Sequence, residues 1–308
     1  MKKLFLCISL FLLSTCVFVA CGSDDPSSEA SLPGNPKTTS GIFQINAGGT
    51  KVCFAPGNLQ ATYNGSTWNW AFAANQWEYI GSDGANRYIN GDGKVSANGT
   101  VDLFGWVGES SIWTGVAQYG ISESNTVNSR YTYGNIASEA LKLDWGNTIS
   151  DGYKWRTLSY SEWLYVFDTR TSGSTVNSTS NARYTTATIN TDDKAVRGII
   201  LFPDGITLEG GDATSWGKIN DTSENTMCTS AQWLNLAAKG CVFLPAAGRR
   251  YENSVRENDD DCFYWSSSSH TTDVYSAYAA SYDAGNLNPA RRYSRPNGFS
   301  VRLVREVE

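Results

Sequence analysis

Tight reversals of the chain are the sequence feature that most restricts its fold. Eight Asn-Gly or Asp-Gly pairs occur, and they begin at Asn64, Asp83, Asn90, Asp92, Asn98, Asp151, Asp204 and Asn297. Such pairs supply the positive-φ residues that tight turns between antiparallel strands require. Short apolar and β-branched runs lie between them, as at residues 52–54, 196–202 and 241–244. The sequence therefore predicts many short antiparallel strands.

Two segments carry the start signals of helices instead. Ser159 precedes Glu162 by three residues, and Thr229 precedes Gln232 by the same spacing, which is the capping-box pattern. Gly240 is positioned to end the second helix. Many strands with helices in two separate places indicate an α+β fold. No internal repeat or proline-rich boundary divides residues 41–308, which we predict to be one domain.

The first residues have the pattern of an export signal. Lys2 and Lys3 precede an apolar run at residues 4–20, which is short for a membrane span, so we predict a signal peptide at residues 1–20. The sequence FVAC, ending at Cys21, resembles the lipobox of bacterial lipoproteins, which implies lipidation of that cysteine. A plain signal peptide or an uncleaved anchor is the alternative.

Residues 21–40 follow as a predicted lipidated flexible tether. They are rich in Ser, Pro, Gly and Asp and have few large apolar side chains, so they cannot bury enough surface to become ordered. Asp24 and Asp25 lie just after Cys21, an arrangement that resembles the surface-export signal of some Gram-negative lipoproteins. We therefore expect a lipid-anchored protein on the outer face of the outer membrane.

Composition argues against several kinds of site. The chain has 24 Lys and Arg against 30 Asp and Glu, a net charge of −6, so no nucleic-acid partner is expected. His270 is its single histidine, which leaves no set of imidazoles for a zinc site. It follows a serine run at residues 266–269, interpreted as a serine-rich loop, but no Gly-x-Ser-x-Gly motif accompanies it. Hydrolase chemistry is therefore not favoured.

Two segments, one acidic and one glycine-rich, carry some of the features of calcium-binding loops. Residues 259–261 are three consecutive aspartates preceded by Glu257 and Asn258, which would supply hard oxygen donors, although a solvated loop is the favoured interpretation. The segment at residues 90–94 places Lys94 where a calcium ligand should stand. We expect no metal and no cofactor.

Several motifs resemble those of formylglycine-generating-enzyme-like domains. The helix-opening sequence WRTLSYSEWLY lies at residues 155–165, and FLPAAGRRY, YWSSS and GFSVRLVR follow at residues 243–251, 264–268 and 298–305. Their order is similar to that in surface lipoproteins of the C-type-lectin-like class. VCFAPGNLQ at residues 52–60 and DLFGW at residues 102–106 resemble the same family. The resemblance covers most of residues 43–305 and implies a C-type-lectin-like fold.

The resemblance does not extend to the enzyme's metal site. The enzyme at the root of this class binds copper through a close pair of cysteines near its carboxyl end, and no cysteine follows Tyr264 here. After Cys21, the mature chain has four cysteines, all of which precede Tyr264: Cys53, Cys228, Cys241 and Cys262. We expect Cys53 and Cys241 to be buried, inert thiols because they lie among apolar strand residues. Export also permits disulfides in any of three pairings. Oxidase chemistry is not expected.

The segment at residues 270–297 has the composition of a binding surface. It combines tyrosine, arginine, serine and asparagine, which in paratopes supply contact area, anchoring and adaptable hydrogen bonds. It also resembles the mutagenised stretch of variable proteins of diversity-generating retroelements, which lies just before a closing Gly-Phe-Ser-Val-Arg-like strand. The predicted ligand-binding residues are His270, Asp273, Tyr275, Tyr278, Tyr282, Asp283, Asn286, Arg291, Arg292, Tyr293 and Arg295. An ordinary polar hairpin is the alternative.

These patterns predict a surface lipoprotein that binds an extracellular protein or glycan and is not an enzyme. The alternatives are a fixed-specificity carbohydrate-binding or pilus-associated adhesin and, less favoured, a degenerate formylglycine-type enzyme.

The same patterns predict which residues are buried and which are exposed. Val301 and Leu303 should be buried and should support the binding surface. Six predicted site residues should be exposed together: Tyr275, Tyr278, Arg291, Arg292, Tyr293 and Arg295. Three tryptophans are candidate sugar-stacking side chains: Trp68, Trp70 and Trp113.

Overall fold

A computed structural model describes residues 40–64, 67–81, 86, 99–106, 144–251, 254–256, 259–273, 276–295 and 297–307. All of them belong to one compact unit. Cys21 and Trp113 lie outside the described residues, as do Tyr275, Glu257 and Asn258 and the segment at residues 90–94. The predictions made for them remain predictions.

The described residues form short strands and two α-helices, as an α+β fold requires. The strands are β1 (Ile42–Gln44), β2 (Lys51–Phe54), β3 (Leu59–Tyr63), β4 (Trp68–Phe72), β5 (Gly99–Val101), β6 (Arg156–Thr157), β7 (Thr175–Val176), β8 (Thr179–Ser180), β9 (Tyr184–Asn190), β10 (Ala195–Leu201), β11 (Thr207–Leu208), β12 (Thr226–Thr229), β13 (Val242–Pro245), β14 (Arg249–Tyr251), β15 (Ser254–Arg256), β16 (Cys262–Ser269), β17 (Ser276–Asp283), β18 (Asn286–Ser294) and β19 (Leu303–Val307). The helices are α1 (Tyr160–Leu164), which continues into a π-helical turn (Tyr165–Thr169), and α2 (Ser230–Ala238). Two 3-10 turns are Trp145–Thr148 and Gly210–Asp212.

The strands pair, mostly antiparallel, into several small sheets. The order is β1-β2-β19-β6 in the sheet that joins the two ends of the described chain, and β12-β9-β10-β13 in the next. Strands β16, β17 and β18 form a three-stranded sheet, called here the hairpin sheet. Smaller sheets have the orders β4-β3-β5, β11-β7-β8 and β14-β15. No described helix is both long enough and apolar enough to span a membrane.

Both helices begin at the predicted residues. The Ser159 hydroxyl accepts the backbone N–H of Glu162, and the Glu162 carboxylate accepts the backbone N–H of Ser159 at 2.7 Å. Thr229 and Gln232 make the same reciprocal pair at α2. Gly240, with φ of +94°, follows α2 as predicted. The capping pattern therefore located both helices correctly.

The predicted turns are confirmed in part. Gly152 and Gly205 have φ of +92° and +76°, the left-handed conformation that their Asp-Gly pairs predict. Gly298 does not share it. It pairs with Arg250 in an isolated bridge, where an added Cβ would lie 2.8 Å from the Arg250 Cβ and from the Leu103 oxygen. Close backbone approach, and not a turn, is the reason for glycine at residue 298.

Three clusters of buried side chains make the core. One joins the hairpin sheet to β3 and β5 through the side chains of Leu59, Val101, Trp265 and Phe299. A second packs α1 against the end-joining sheet and the hairpin sheet, and the third packs α2 against β9, β10 and β13. The hairpin sheet thus contributes to two clusters, which lie against its two faces.

The segment before β19 is buried on both sides. Val301 and Leu303 are fully buried, as predicted, but Ser300 and Arg302, which alternate with them, are buried as well. The Arg302 guanidinium donates to the Asn58 Oδ1 at 2.9 Å and to the Phe243 oxygen at 2.8 Å. Burial lowers the pKa of Arg302 to about 10. This arginine crosslinks three separate segments of chain.

Candidate functional site

The hairpin sheet carries most of the predicted site residues. Strands β17 and β18 are joined by a two-residue turn at Ala284 and Gly285, with φ of +49° and +84°. These positive angles are those of the hairpin turns that match strand twist. The Asp261 carboxylate accepts the backbone N–H of Ala284 at 3.1 Å and so holds the turn against the loop before β16.

A β-bulge divides β18 into two parts. Ala279 pairs with Arg291 and Ser281 pairs with Asn288, so two residues of β18, Pro289 and Ala290, stand opposite one residue of β17. Proline has no N–H to donate to a ladder and is found at such irregular positions. The extra residue moves later side chains of β18 to the opposite face of the sheet.

One face of the hairpin sheet packs on the first core cluster and includes Tyr293, which was expected to be exposed. Tyr293 is only 8% exposed, and its ring meets those of Phe263 and Phe299 edge-on at 5.5 and 5.0 Å. The prediction of exposure is wrong for Tyr293 because it pairs with the buried Ala277 on that face.

Arg295 is also buried, against the same prediction. It is 1% exposed, its guanidinium lies 4.5 Å from the centre of the Trp106 ring, and its Nε donates to the Ser276 oxygen at 3.2 Å. Burial lowers the pKa of Arg295 to about 10. Its contacts fasten the end of β18 to Trp106, so it supports the sheet.

The other face brings together four of the predicted residues and one that the sequence interpretation missed. Tyr278 pairs across the strands with Arg292, and the ring of His270 lies 5.0 Å from the ring of Tyr278. The ring of Tyr160, from α1, stacks on Tyr278 at 4.5 Å. We call Tyr160, His270, Asp273, Tyr278 and Arg292 the Tyr278 face.

A tight turn orients His270 and Asp273 on this face. The His270 Nδ1 accepts the backbone N–H of Asp273 at 2.9 Å, and the Asp273 Oδ2 accepts the Ser276 hydroxyl at 2.9 Å. An Arg292 guanidinium nitrogen lies 3.4 Å from the same Asp273 oxygen. Because Nδ1 accepts this backbone N–H, Nε2 is the imidazole nitrogen left to contact a ligand.

Arg291 lies on the opposite face of β18 from Arg292. Its guanidinium forms an ion pair with the Asp283 carboxylate at 2.7 Å and lies 5.2 Å from the centre of the Tyr293 ring. Asn286 is exposed at the hairpin turn, where its amide donates to the Ala284 oxygen. The predicted site residues are thus divided between two surfaces.

Tyr282 belongs neither to the Tyr278 face nor to the surface around Arg291. It is partly buried and packs against the second core cluster together with Leu287, with which it pairs. Burial raises the pKa of its hydroxyl above the ordinary value. Its phenol ring therefore contributes to packing as well as to the surface.

The serine run before His270 is part of a strand, not the loop that was expected. Ser266 and Ser268 are buried in β16. The Ser266 hydroxyl donates to the Tyr278 oxygen at 2.7 Å, and the Ser268 hydroxyl accepts the backbone N–H of Tyr160 at 3.2 Å. These serines connect the strand to β17 and α1.

Cys228, Cys241 and Cys262 are buried as free thiols within the described residues, and the side chain of Cys53 is buried as well. The expected burial of Cys53 and Cys241 is confirmed, since they are 3% and 0% exposed. Desolvation raises the pKa of the Cys228 thiol to about 11, and it raises the thiol pKa values of Cys241 and Cys262. A raised pKa lowers the thiolate fraction, so these side chains are poor nucleophiles.

The aspartate run does not behave as one solvated loop. Asp259 and Asp260 are exposed, whereas Asp261 is 9% exposed and binds the hairpin turn as described above. Within the described ranges, no three metal-ligating side chains of His, Cys, Asp or Glu are grouped as a metal site.

Trp68 and Trp70 lie on one face of β4 and are half-buried. Their rings are 6.4 Å apart, Tyr63 lies 5.0 Å from Trp68, and Phe104 lies 5.7 Å from Trp70. Both tryptophans pack against the first core cluster. Each indole ring is therefore packed against the core and partly exposed to solvent.

Comparison with known proteins gives no relative. No family model, no curated protein and no solved structure matches the chain.

Proposed function

We propose that this protein is a lipid-anchored cell-surface protein with a C-type-lectin-like domain that binds an extracellular protein or glycan through the Tyr278 face. The observation that carries the proposal is the convergence of Tyr160, His270, Tyr278 and Arg292 on one surface. Aromatic and arginine side chains of this kind dominate the affinity of binding surfaces. On the opposite face of the sheet, Ala277, Ala279 and Tyr293 pack in the first core cluster, so the surface has a rigid support.

The hydrogen bonds of His270 and of the serines near it favour binding over catalysis. The His270 Nδ1 already accepts a backbone N–H, and the nearby Ser266 and Ser268 hydroxyls are buried and bonded to other groups. A nucleophile needs a base within hydrogen-bond reach, and no described serine makes that pair with His270. The polar groups are therefore suited to recognition.

The C-type-lectin-like fold and the diversification of residues 270–297 belong to the proposal. Support for the fold comes from the order of the sequence motifs together with the α+β arrangement. Diversification would require a near-copy of the DNA that encodes residues 265–305 beside a reverse transcriptase gene, and sequencing the flanking DNA tests it. Absence of that copy would favour a fixed-specificity adhesin.

A carbohydrate-binding adhesin is the second candidate, and the half-exposed Trp68 and Trp70 favour it. Indole rings at the rim of a core can stack on sugar rings. Under this alternative, Trp70→Ala would abolish glycan binding, whereas changes on the Tyr278 face would leave it intact.

Membrane anchoring through Cys21 is tested separately. Cys21→Ala should release the protein from membranes, and labelled palmitate should enter only the wild type. A wild-type protein that takes up no label and has another mature terminus would contradict the anchor.

The binding proposal is tested on arrays of glycans and extracellular proteins. The full chain in detergent is compared with its His270→Ala/Arg292→Ala variant at matched thermal stability. We expect wild-type signals that the variant loses. Equal signals for both proteins would exclude the Tyr278 face as the site.

A further inference from the structure

Helix α1 adds an exposed apolar surface beside the Tyr278 face. Tyr160 and Leu164 are each 36% exposed and lie one helical turn apart, so they share one side of α1. Trp163, on another side, is fully buried in the core. Among the described residues, five large hydrophobic side chains are exposed, and two of them are this pair.

The hairpin sheet fixes the position of this pair. Helix α1 packs against β16, β17 and β18. The backbone N–H of Tyr160 donates to the Ser268 hydroxyl, and the Tyr160 ring stacks on Tyr278 with the planes inclined by 24°. A ring held in this way loses little conformational freedom on binding, which lowers the entropic cost of association.

The chemistry of the extended surface favours a protein partner over a glycan. Leu164 has no polar side-chain atom with which to bind a sugar hydroxyl. Tyrosine and arginine beside exposed apolar area are typical of the buried centre of a protein interface. The Arg292 side chain is 58% exposed, and its ion pair with Asp273 spans 3.4 Å, so its guanidinium retains donors for an additional carboxylate.

We propose that Tyr160 and Leu164 extend the Tyr278 face into a docking surface for a protein. The partner segment places an apolar side chain on Tyr160 and Leu164 and a carboxylate on Arg292. This inference rests on the proposed function, and it adds both the class of partner and a contribution from α1.

The test uses the full chain in detergent, a phage-displayed library of random peptides and a glycan array. Selected peptides should be enriched in an apolar residue near Asp or Glu. Their Kd should rise by about tenfold or more with Tyr160→Ser or Leu164→Ser. Tyr153→Ser and Leu234→Ser are the matched controls, because these side chains are 55% and 51% exposed elsewhere, and each should change the Kd by less than about twofold.

The possible outcomes separate this inference from the proposed function. Peptides whose binding depends on Arg292 but not on Tyr160 or Leu164 would overturn the docking surface and leave the Tyr278 face standing. Peptides whose binding depends on none of these three side chains would overturn both the docking surface and the Tyr278 face. Binding to glycans only, or to neither library nor array, would overturn the protein partner. Melting temperatures close to that of the wild type show that each variant is folded.

Discussion

The ring of Tyr160 stacks on the ring of Tyr278 with the centroids 4.5 Å apart, although the two residues come from distant parts of the chain. Tyr160 begins α1, and Tyr278 lies within β17 opposite Arg292. The pair therefore joins a helix to the strand that carries Tyr278, the central residue of the proposed binding face.

This contact can be measured with a double-mutant cycle. Tyr160→Ala and Tyr278→Ala should be non-additive in the free energy of unfolding by about 0.5–1.5 kcal/mol, the range found for offset aromatic pairs. Denaturant unfolding of both single variants and the double variant gives the coupling. Combining Tyr160→Ala with Trp233→Ala, which lies in a different core cluster, is the control and should be additive. Additivity in the tyrosine cycle would show that the rings do not interact.

Glu162 and Trp163 of α1 should stabilise the fold and have no chemical role. Trp163 is fully buried, so Trp163→Ala should lower the free energy of unfolding by about 3–5 kcal/mol. Glu162→Ala should lower it by about 0.5–2 kcal/mol through loss of the capping box.

Glu162→Gln is the matched control for the cap. Gln can still accept the Ser159 N–H, but it loses the charge that pairs with both terminal nitrogens of Arg156 at 2.9 and 2.8 Å. It should therefore destabilise less than Glu162→Ala does. A Trp163→Ala protein with an unchanged melting temperature would contradict the conclusion that Trp163 stabilises the core.

Substitutions of Tyr293 and Arg291 should show that one side chain of β18 supports the fold and the other lies on the surface. Tyr293→Ala removes a ring packed on Phe263 and Phe299, and it should cost about 3–5 kcal/mol of stability. Arg291→Ala removes an exposed ion pair and should cost less than about 1 kcal/mol. Thermal melting of the two variants compares them directly. Equal destabilisation would contradict the burial of the Tyr293 ring.

Asp102 should make stability depend on pH in the acidic range. It is fully buried, and desolvation raises the pKa of its carboxyl from 3.8 to about 6, although the Ile80 N–H and the Asn86 amide donate to it. Since the folded state holds this proton more tightly, the free energy of unfolding should fall as pH rises from about 4 to about 6. The decrease is at most about 3 kcal/mol.

Asp102→Asn isolates that effect, because the amide cannot ionise. Denaturant unfolding at a series of pH values should show a smaller decrease across the same interval in Asp102→Asn than in the wild type. Identical slopes for the two proteins would assign the dependence to other groups.

Local sequence patterns predicted the helices because their signals act over a few residues. The Ser159 and Glu162 pair is such a signal, and the burial of Val301 and Leu303 follows from apolar alternation. Neither depends on where distant segments lie.

The binding face was predicted less well because a bulge breaks the alternation in β18. Regular alternation would place Leu287 and Tyr293 on one face, but the extra residue at Pro289 and Ala290 sends them to different core clusters. Arg295 is buried because its guanidinium stacks on Trp106, a contact between distant segments that no local pattern encodes.

The sequence analysis did not include Tyr160 in the binding face, although the sequence indicates that its side chain is exposed. Its spacing from Leu164, away from the buried Trp163, predicts an exposed side of α1. Its stacking on Tyr278 depends on how the helix packs against the hairpin sheet, which the sequence of α1 alone does not specify.

Binding of array ligands by Arg292→Ala and Arg291→Ala tests the central claim most directly. The two arginines are adjacent in β18, both exposed and each beside an aspartate, but they lie on opposite faces of the hairpin sheet. If the Tyr278 face binds the ligand, Arg292→Ala should raise the Kd by about tenfold or more, while Arg291→Ala changes it by less than about twofold. Equal effects of the two substitutions, or a larger effect of Arg291→Ala, would contradict the assignment of the binding site to the Tyr278 face.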